Sequence, residues 1–112
     1  DSTTVEWEVQ LHSIPVETIK RKGKEVVVNW SVTAFDNDST FYTDSNGLEM
    51  QKRVLNQRPD FTLQTDEIAS SNYYPINSAI AIRRKSDNTQ LTVMNDRSQG
   101  GSVLSSGSVE IM

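Results

Sequence analysis

The chain contains no cysteine, so a disulfide framework, a Cys-ligated zinc site and a thiol nucleophile are all excluded. It has one histidine, His12. A typical zinc site draws several ligands from His and Cys, and no nucleophile-elbow signature accompanies His12 to build a hydrolytic triad. A loop residue is the reading that remains. No apolar run approaches the ~18 residues of a membrane-spanning helix, so no membrane span is expected. A basic surplus is also missing: 11 Lys and Arg face 15 Asp and Glu, for a formal net charge of -4. Nucleic-acid and anionic-membrane binders normally carry the opposite balance, so nucleic acid is not an expected partner. No basic-then-apolar leader opens the sequence, because Asp1 to Thr4 runs directly into an alternating segment. This reads as a mature product, an excised domain or a piece of something longer.

What the chain does have is enough material for one core. Its 112 residues are 35% hydrophobic and 23% charged, a balance suited to one globular unit, residues 1–112. Val5, Trp7, Val9 and Leu11 alternate with Glu6, Glu8 and Gln10, which predicts a strand with one dry face. Pro15 should end that strand or move it to an edge. A basic connection follows, Lys20-Arg21-Lys22-Gly23-Lys24, read as a solvated loop. Residues 25–33 predict a second strand, with Val26, Val28, Trp30 and Val32 on one face and Trp30 in the core beside Trp7.

Asp36-Asn37-Asp38-Ser39-Thr40 is all turn formers. Residues 41–53, FYTDSNGLEMQKR, read as a hairpin in which Asn46 and Gly47 tolerate positive φ at the reversal. Leu48, Met50 and Val54 are expected on the apolar face, and Asp44 as a turn residue. Arg58-Pro59 should end the return strand, Phe61-Thr62-Leu63 should be briefly extended, and residues 66–72 should form a polar loop. Residues 73–76 are extended. Residues 79–83 and 91–94 flank a second turn signal, Lys85 to Thr89. Residues 96–101 read as a flexible turn around Gly100-Gly101, and residues 109–112 as a last strand, expected to leave an unpaired edge. Many short strands between turn signals and little or no helix predict an all-β, antiparallel, β-sandwich-like domain.

Few side chains offer chemistry. Asn29-Trp30-Ser31 and Asn37-Asp38-Ser39 both satisfy the N-glycosylation rule; Asn37, in an expected exposed turn, is the better candidate, and Asn29 should lie on an outer strand face. Asp36 and Asp38 lack the glycine and distal glutamate of a calcium loop. No spacing brings two carboxylates to the separation that glycoside hydrolysis requires. Tyr73 and Tyr74, read as exposed, and the Asp96-Arg97 pair beside Gly100-Gly101 are the candidates for contact with a sugar or another domain. No self-sufficient active site emerges.

Several ordered blocks carry a resemblance: FYTDSNGLEMQKR, Asn56-Gln57-Arg58-Pro59, residues 72–77 (NYYPIN), residues 91–102 (LTVMNDRSQGGS) and residues 108–112 (SVEIM). Together they resemble the C-terminal β-region of the lysosomal-type α-mannosidases, glycoside hydrolase family thirty-eight. Val5-Glu6-Trp7, Ile14-Pro15 and Gly23-Lys24-Glu25-Val26 fit less tightly, and Thr18 to Lys22 departs from the family's acidic, glycine-containing loop. The resemblance implies a zinc-dependent, retaining exo-α-mannosidase that trims mannose from N-glycans, lysosomal, vacuolar or secreted. It also implies that the nucleophile and zinc ligands lie in another domain. On that basis this chain holds no catalytic residue and no cofactor, and its partners are the remaining chains or domains of the parent, which supplies the carbohydrate contact. The other reading is a stand-alone β-sandwich module that binds carbohydrate through Tyr73 and Tyr74.

Overall fold

The computed structural model describes residues 3–16, 19, 23–60, 62–64 and 66–112. Eight strands and one short helix follow in order: β1 Val28–Ser31, β2 Thr40–Ser45, β3 Glu49–Val54, α1 Ile68–Asn72, β4 Tyr74–Ile76, β5 Ala79–Arg83, β6 Gln90–Met94, β7 Gln99–Ser102 and β8 Ser108–Ile111. They form two four-stranded sheets, ordered β1-β8-β7-β4 and β3-β2-β5-β6, with every strand pairing antiparallel. The expected all-β, sandwich-like class is therefore what the chain adopts.

The core is built by alternate residues from both sheets. Phe41, Ile80 and Ile82 face Tyr74, Ile76, Val109 and Ile111, with Phe35 and Val103 joining from loops and Trp30, Leu91 and Val93 packed at the margin. Each fully buried aliphatic of this kind contributes about 1.5–3 kcal/mol relative to exposure. Gly101 lies where the layers approach: a Cβ there would come within 3.0 Å of Ile76 Cδ1 and 3.2 Å of Ile80 Cδ1.

The β2–β3 hairpin follows the turn chemistry of its sequence. Asn46 and Gly47 adopt φ of 52° and 72°, and Leu48 N donates to Ser45 O at 3.0 Å. Its expected faces are reversed. Leu48 and Met50 point to solvent, whereas Arg53 and Gln51 stand opposite the buried Phe41 and Thr43. The aromatic face of β2 fixes the register, and Arg53 is accepted inside because its guanidinium rests on the ring of Tyr74.

Other departures have equally local causes. Residues 5–11 form no strand among the described residues, and Trp7 is 68% exposed instead of joining Trp30. Alternation specifies a dry face but does not supply the ladder partner a strand needs. The second strand shortens to β1, and Val26, Val27 and Val32 are exposed. The loop expected at residues 66–72 contains α1, held by Ser70 Oγ donating to Glu67 O and Asn72 Nδ2 donating to Ile68 O. Phe61 and Lys20 to Lys22 fall outside the described residues, and Thr62-Leu63 is not strand. Gly100 and Gly101 lie in β7 and pair with Pro75 and Tyr74. The last strand is not an unpaired edge: β8 lies inside its sheet between β1 and β7.

Candidate functional site

A densely hydrogen-bonded polar region lies at one end of the sandwich, where the β2–β3 turn, the β4–β5 connection and the β6–β7 connection converge. Asp44 joins them. Its Oδ2 accepts from Gly47 N at 2.8 Å, and its Oδ1 accepts from Asn77 N at 2.8 Å, Ser78 N at 3.0 Å and Ala79 N at 3.1 Å. Burial pushes the Asp44 carboxyl up, but these four N–H donors outweigh it and hold the pKa at about 2. The turn reading of Asp44 therefore understates its reach, because it also fixes the start of β5.

Around this carboxylate, Asn77 Nδ2 donates to Asn46 Oδ1 at 2.9 Å and Ser98 Oγ donates to Asn77 Oδ1 at 2.7 Å. Asn95 N donates to Ser78 O, and Asn95 Nδ2 donates to Ile76 O. Asp96 and Arg97 project from this frame, paired at 2.7 Å and largely exposed. The Arg97 guanidinium lowers the pKa of the Asp96 carboxyl below its usual value, and Asp96 raises the pKa of the guanidinium. Leu48 and Met94 flank the same end and are exposed.

The tyrosines sit apart from it. Tyr74 opens β4 and is 7% exposed, edge-on to Phe41 with ring centroids 5.6 Å apart. The guanidinium carbons of Arg53 and Arg58 lie 4.4 and 4.3 Å from its ring centre. This ring is a core element and is not offered to a sugar. Tyr73 is half-buried, and its hydroxyl donates to Glu110; burial and then the Glu110 carboxylate raise its pKa.

Of the two glycosylation candidates, Asn29 lies on an outer strand face as expected, whereas Asn37, expected in an exposed turn, is buried. Asn37 is 2% exposed: its Nδ2 donates to Thr40 O at 2.8 Å, and its Oδ1 accepts from Gly107 N at 2.8 Å and Ser106 Oγ at 3.0 Å. It staples the β1–β2 loop to the β7–β8 loop at the opposite end of β2 from Asp44. Asn29 is exposed on β1, accepts from Ser31 Oγ at 2.8 Å and donates to Ser108 Oγ at 2.7 Å. His12 is exposed in the segment before β1.

Among the described residues, no group of three or more His, Asp or Glu side chains converges to hold a metal ion. The described residues therefore do not fit a zinc site. The depression lined by Ser31 to Asp36 and Ser106 contains a single carboxylate, Asp36, where glycoside hydrolysis calls for two. Among the described residues, no helix is long and apolar enough to cross a membrane.

Residues that composition did not single out carry much of this architecture. Asn72 is buried and binds Asn56 through both its amide atoms, while its carbonyl accepts from Ser102 Oγ at 2.8 Å. The one available signal was its place beside Tyr73-Tyr74-Pro75 within a resemblance block.

Residues 1–112, the whole chain, match the glycosyl hydrolases family 38 C-terminal domain. The chain belongs to this family. It is 44% identical over 108 residues to the lysosomal alpha-mannosidase of Felis catus and 45% identical over 108 residues to that of Bos taurus. It is 35% identical over 105 residues to the alpha-mannosidase of Canavalia ensiformis. These alignments take in 96%, 96% and 94% of this chain and 10% of each relative. A family 38 C-terminal domain segment of this kind thus spans about a tenth of the relatives it matches. Within it, the Asp44 loop end is assembled from three of the blocks that carry the resemblance: FYTDSNGLEMQKR, NYYPIN and LTVMNDRSQGGS.

Proposed function

We propose that these residues form a single non-catalytic β-domain of an α-mannosidase that trims mannose from N-glycans in a lysosomal compartment, packing against a separate catalytic body. In this reading zinc and the retaining nucleophile belong to that body, and the domain supports the mannose pocket without contributing a reacting group. The observation that carries it is the family match over the whole chain, together with relatives about ten times as long that are named lysosomal alpha-mannosidases. The geometry agrees. Asp44 is saturated by backbone donors, and Asp38, Asp87 and Asp96 each face a cation. None of these is poised as a general acid. The burial of Tyr74 weighs against a stand-alone sugar-stacking module.

The test is an α-mannoside hydrolysis assay with zinc, run on the full-length polypeptide and on the 112-residue chain. Turnover by the full-length protein and none by the chain alone is expected. Robust turnover by the 112 residues would place the active site inside them and sink the reading.

A further inference from the structure

The segment before β1 combines two observations that do not fit together in this chain alone. Its sequence alternates strictly, with Val5, Trp7, Val9 and Leu11 on one side and Glu6, Glu8 and Gln10 on the other, the pattern of a strand with a dry face. In the structure the whole apolar side faces solvent, with Val5 at 71% and Leu11 at 60% exposure, and no ladder partner exists among the described residues. A continuous stripe of four large apolar side chains, one of them tryptophan, costs several kcal/mol to leave wet at ~1.5–3 kcal/mol per side chain. The backbone beside it has a full row of donors and acceptors that a ladder would satisfy.

Two partners are conceivable: the open edge of β1 in this same chain, or a strand outside it. The structure contains both the segment and the β1 edge and shows no ladder between them, with Val26 and Val27 of the β1 approach exposed. The remaining polypeptide is ample, because the chain accounts for 10% of its relatives' length. We propose that residues 5–11 form a β-strand whose ladder partner is a strand of the parent polypeptide outside these 112 residues, with Val5, Trp7, Val9 and Leu11 buried against that neighbour. The partner is an extended segment with an unpaired edge and an apolar face, joined by strand addition. Glu6 and Glu8 keep the opposite face wet. The inference rests on reading the chain as a domain packed within a longer enzyme.

The experiment uses the intact full-length protein. Hydrogen exchange read by mass spectrometry should show the amides of residues 5–11 slowed at least ~100-fold relative to unstructured chain. A photo-crosslinking amino acid in place of Glu8 should join to a peptide outside residues 1–112. Crosslinks to residues 24–33 would overturn the proposal by assigning the strand to this chain's own β1 edge. Exchange at the unstructured rate would also overturn it. Fast exchange at residues 5–11 with β2 and β5 still protected removes the strand alone, whereas fast exchange throughout residues 1–112 in an active enzyme removes the domain reading as well.

Discussion

The guanidinium carbon of Arg58 lies 4.3 Å from the ring centre of Tyr74, so a residue that reads as an exposed sugar platform is instead the lid of the core. Arg53 approaches the same ring at 4.4 Å, and its Nε donates to Thr43 Oγ1. Two cations beside one buried ring orient it, Arg53 from β3 and Arg58 from the loop that follows it.

Tyr74→Ala should therefore act as a core truncation and cost about 3–5 kcal/mol. Tyr74→Phe keeps the ring and both cation contacts, and should cost under about 1 kcal/mol. Denaturant midpoints of the two variants, measured on the same protein, check the contrast. Equal losses would mean that the ring's packing is not what matters.

Asp44 makes a prediction about acid. Its folded pKa of about 2 lies below the ordinary value of 3.8, so the stability it contributes is fully present above pH ~4 and is lost as pH falls through about 2. The shift corresponds to ~2 kcal/mol. Asp44→Asn keeps the shape and should lower stability at neutral pH by about that amount while flattening the dependence between pH 4 and 2. An acid-unfolding series on both proteins reads this out, and parallel curves would contradict it.

Gly107 and Gly23 should respond oppositely to alanine. Gly107 has φ 73°, and an added Cβ would meet Val32 O at 2.7 Å and Phe35 O at 2.8 Å. Both atoms are backbone, so the cost should exceed about 2 kcal/mol. Around Gly23 nothing lies within 4 Å, and Gly23→Ala should stay within about 0.5 kcal/mol. Thermal unfolding midpoints compare the two directly.

For glycosylation, the structure favours Asn29 over Asn37. A glycan on Asn37 Nδ2 would displace its bond to Thr40 O in a site that is 2% exposed, whereas Asn29 stands on an outer strand face. Protein expressed through a eukaryotic secretory pathway and mapped by peptide mass should be occupied at Asn29 and bare at Asn37. Asn37→Ala should destabilise by about 1–3 kcal/mol through its stranded partners.

The fold was legible in the sequence wherever turn chemistry and aromatic or β-branched runs agreed. Asn46-Gly47 places the first hairpin, and residues 79–94 place the second, with β5 and β6 close to their expected bounds. Facing was less legible. Arg53 points inward because a buried aromatic ring accepts it, a long-range fact invisible to alternation. The five-residue α1 has no side-chain N-cap bond, so no local signal announces it. At the loop end Asp44 was visible as a turn former, but its bonds to Asn77, Ser78 and Ala79 span more than thirty positions.

The strand order also dictates a sequence of events during synthesis. β2 with β3, and β5 with β6, pair across short turns and can form soon after they emerge. β1 cannot: Val28 pairs with Ile111 and Ser31 with Ser108, so it waits for β8. Until then Trp30 and the valines around it have no ladder beside them, and closure across so long a loop is slow. A ribosome pausing before β8 would hold a half-built sandwich with its first strand unclaimed, and that interval is when this domain most needs a chaperone.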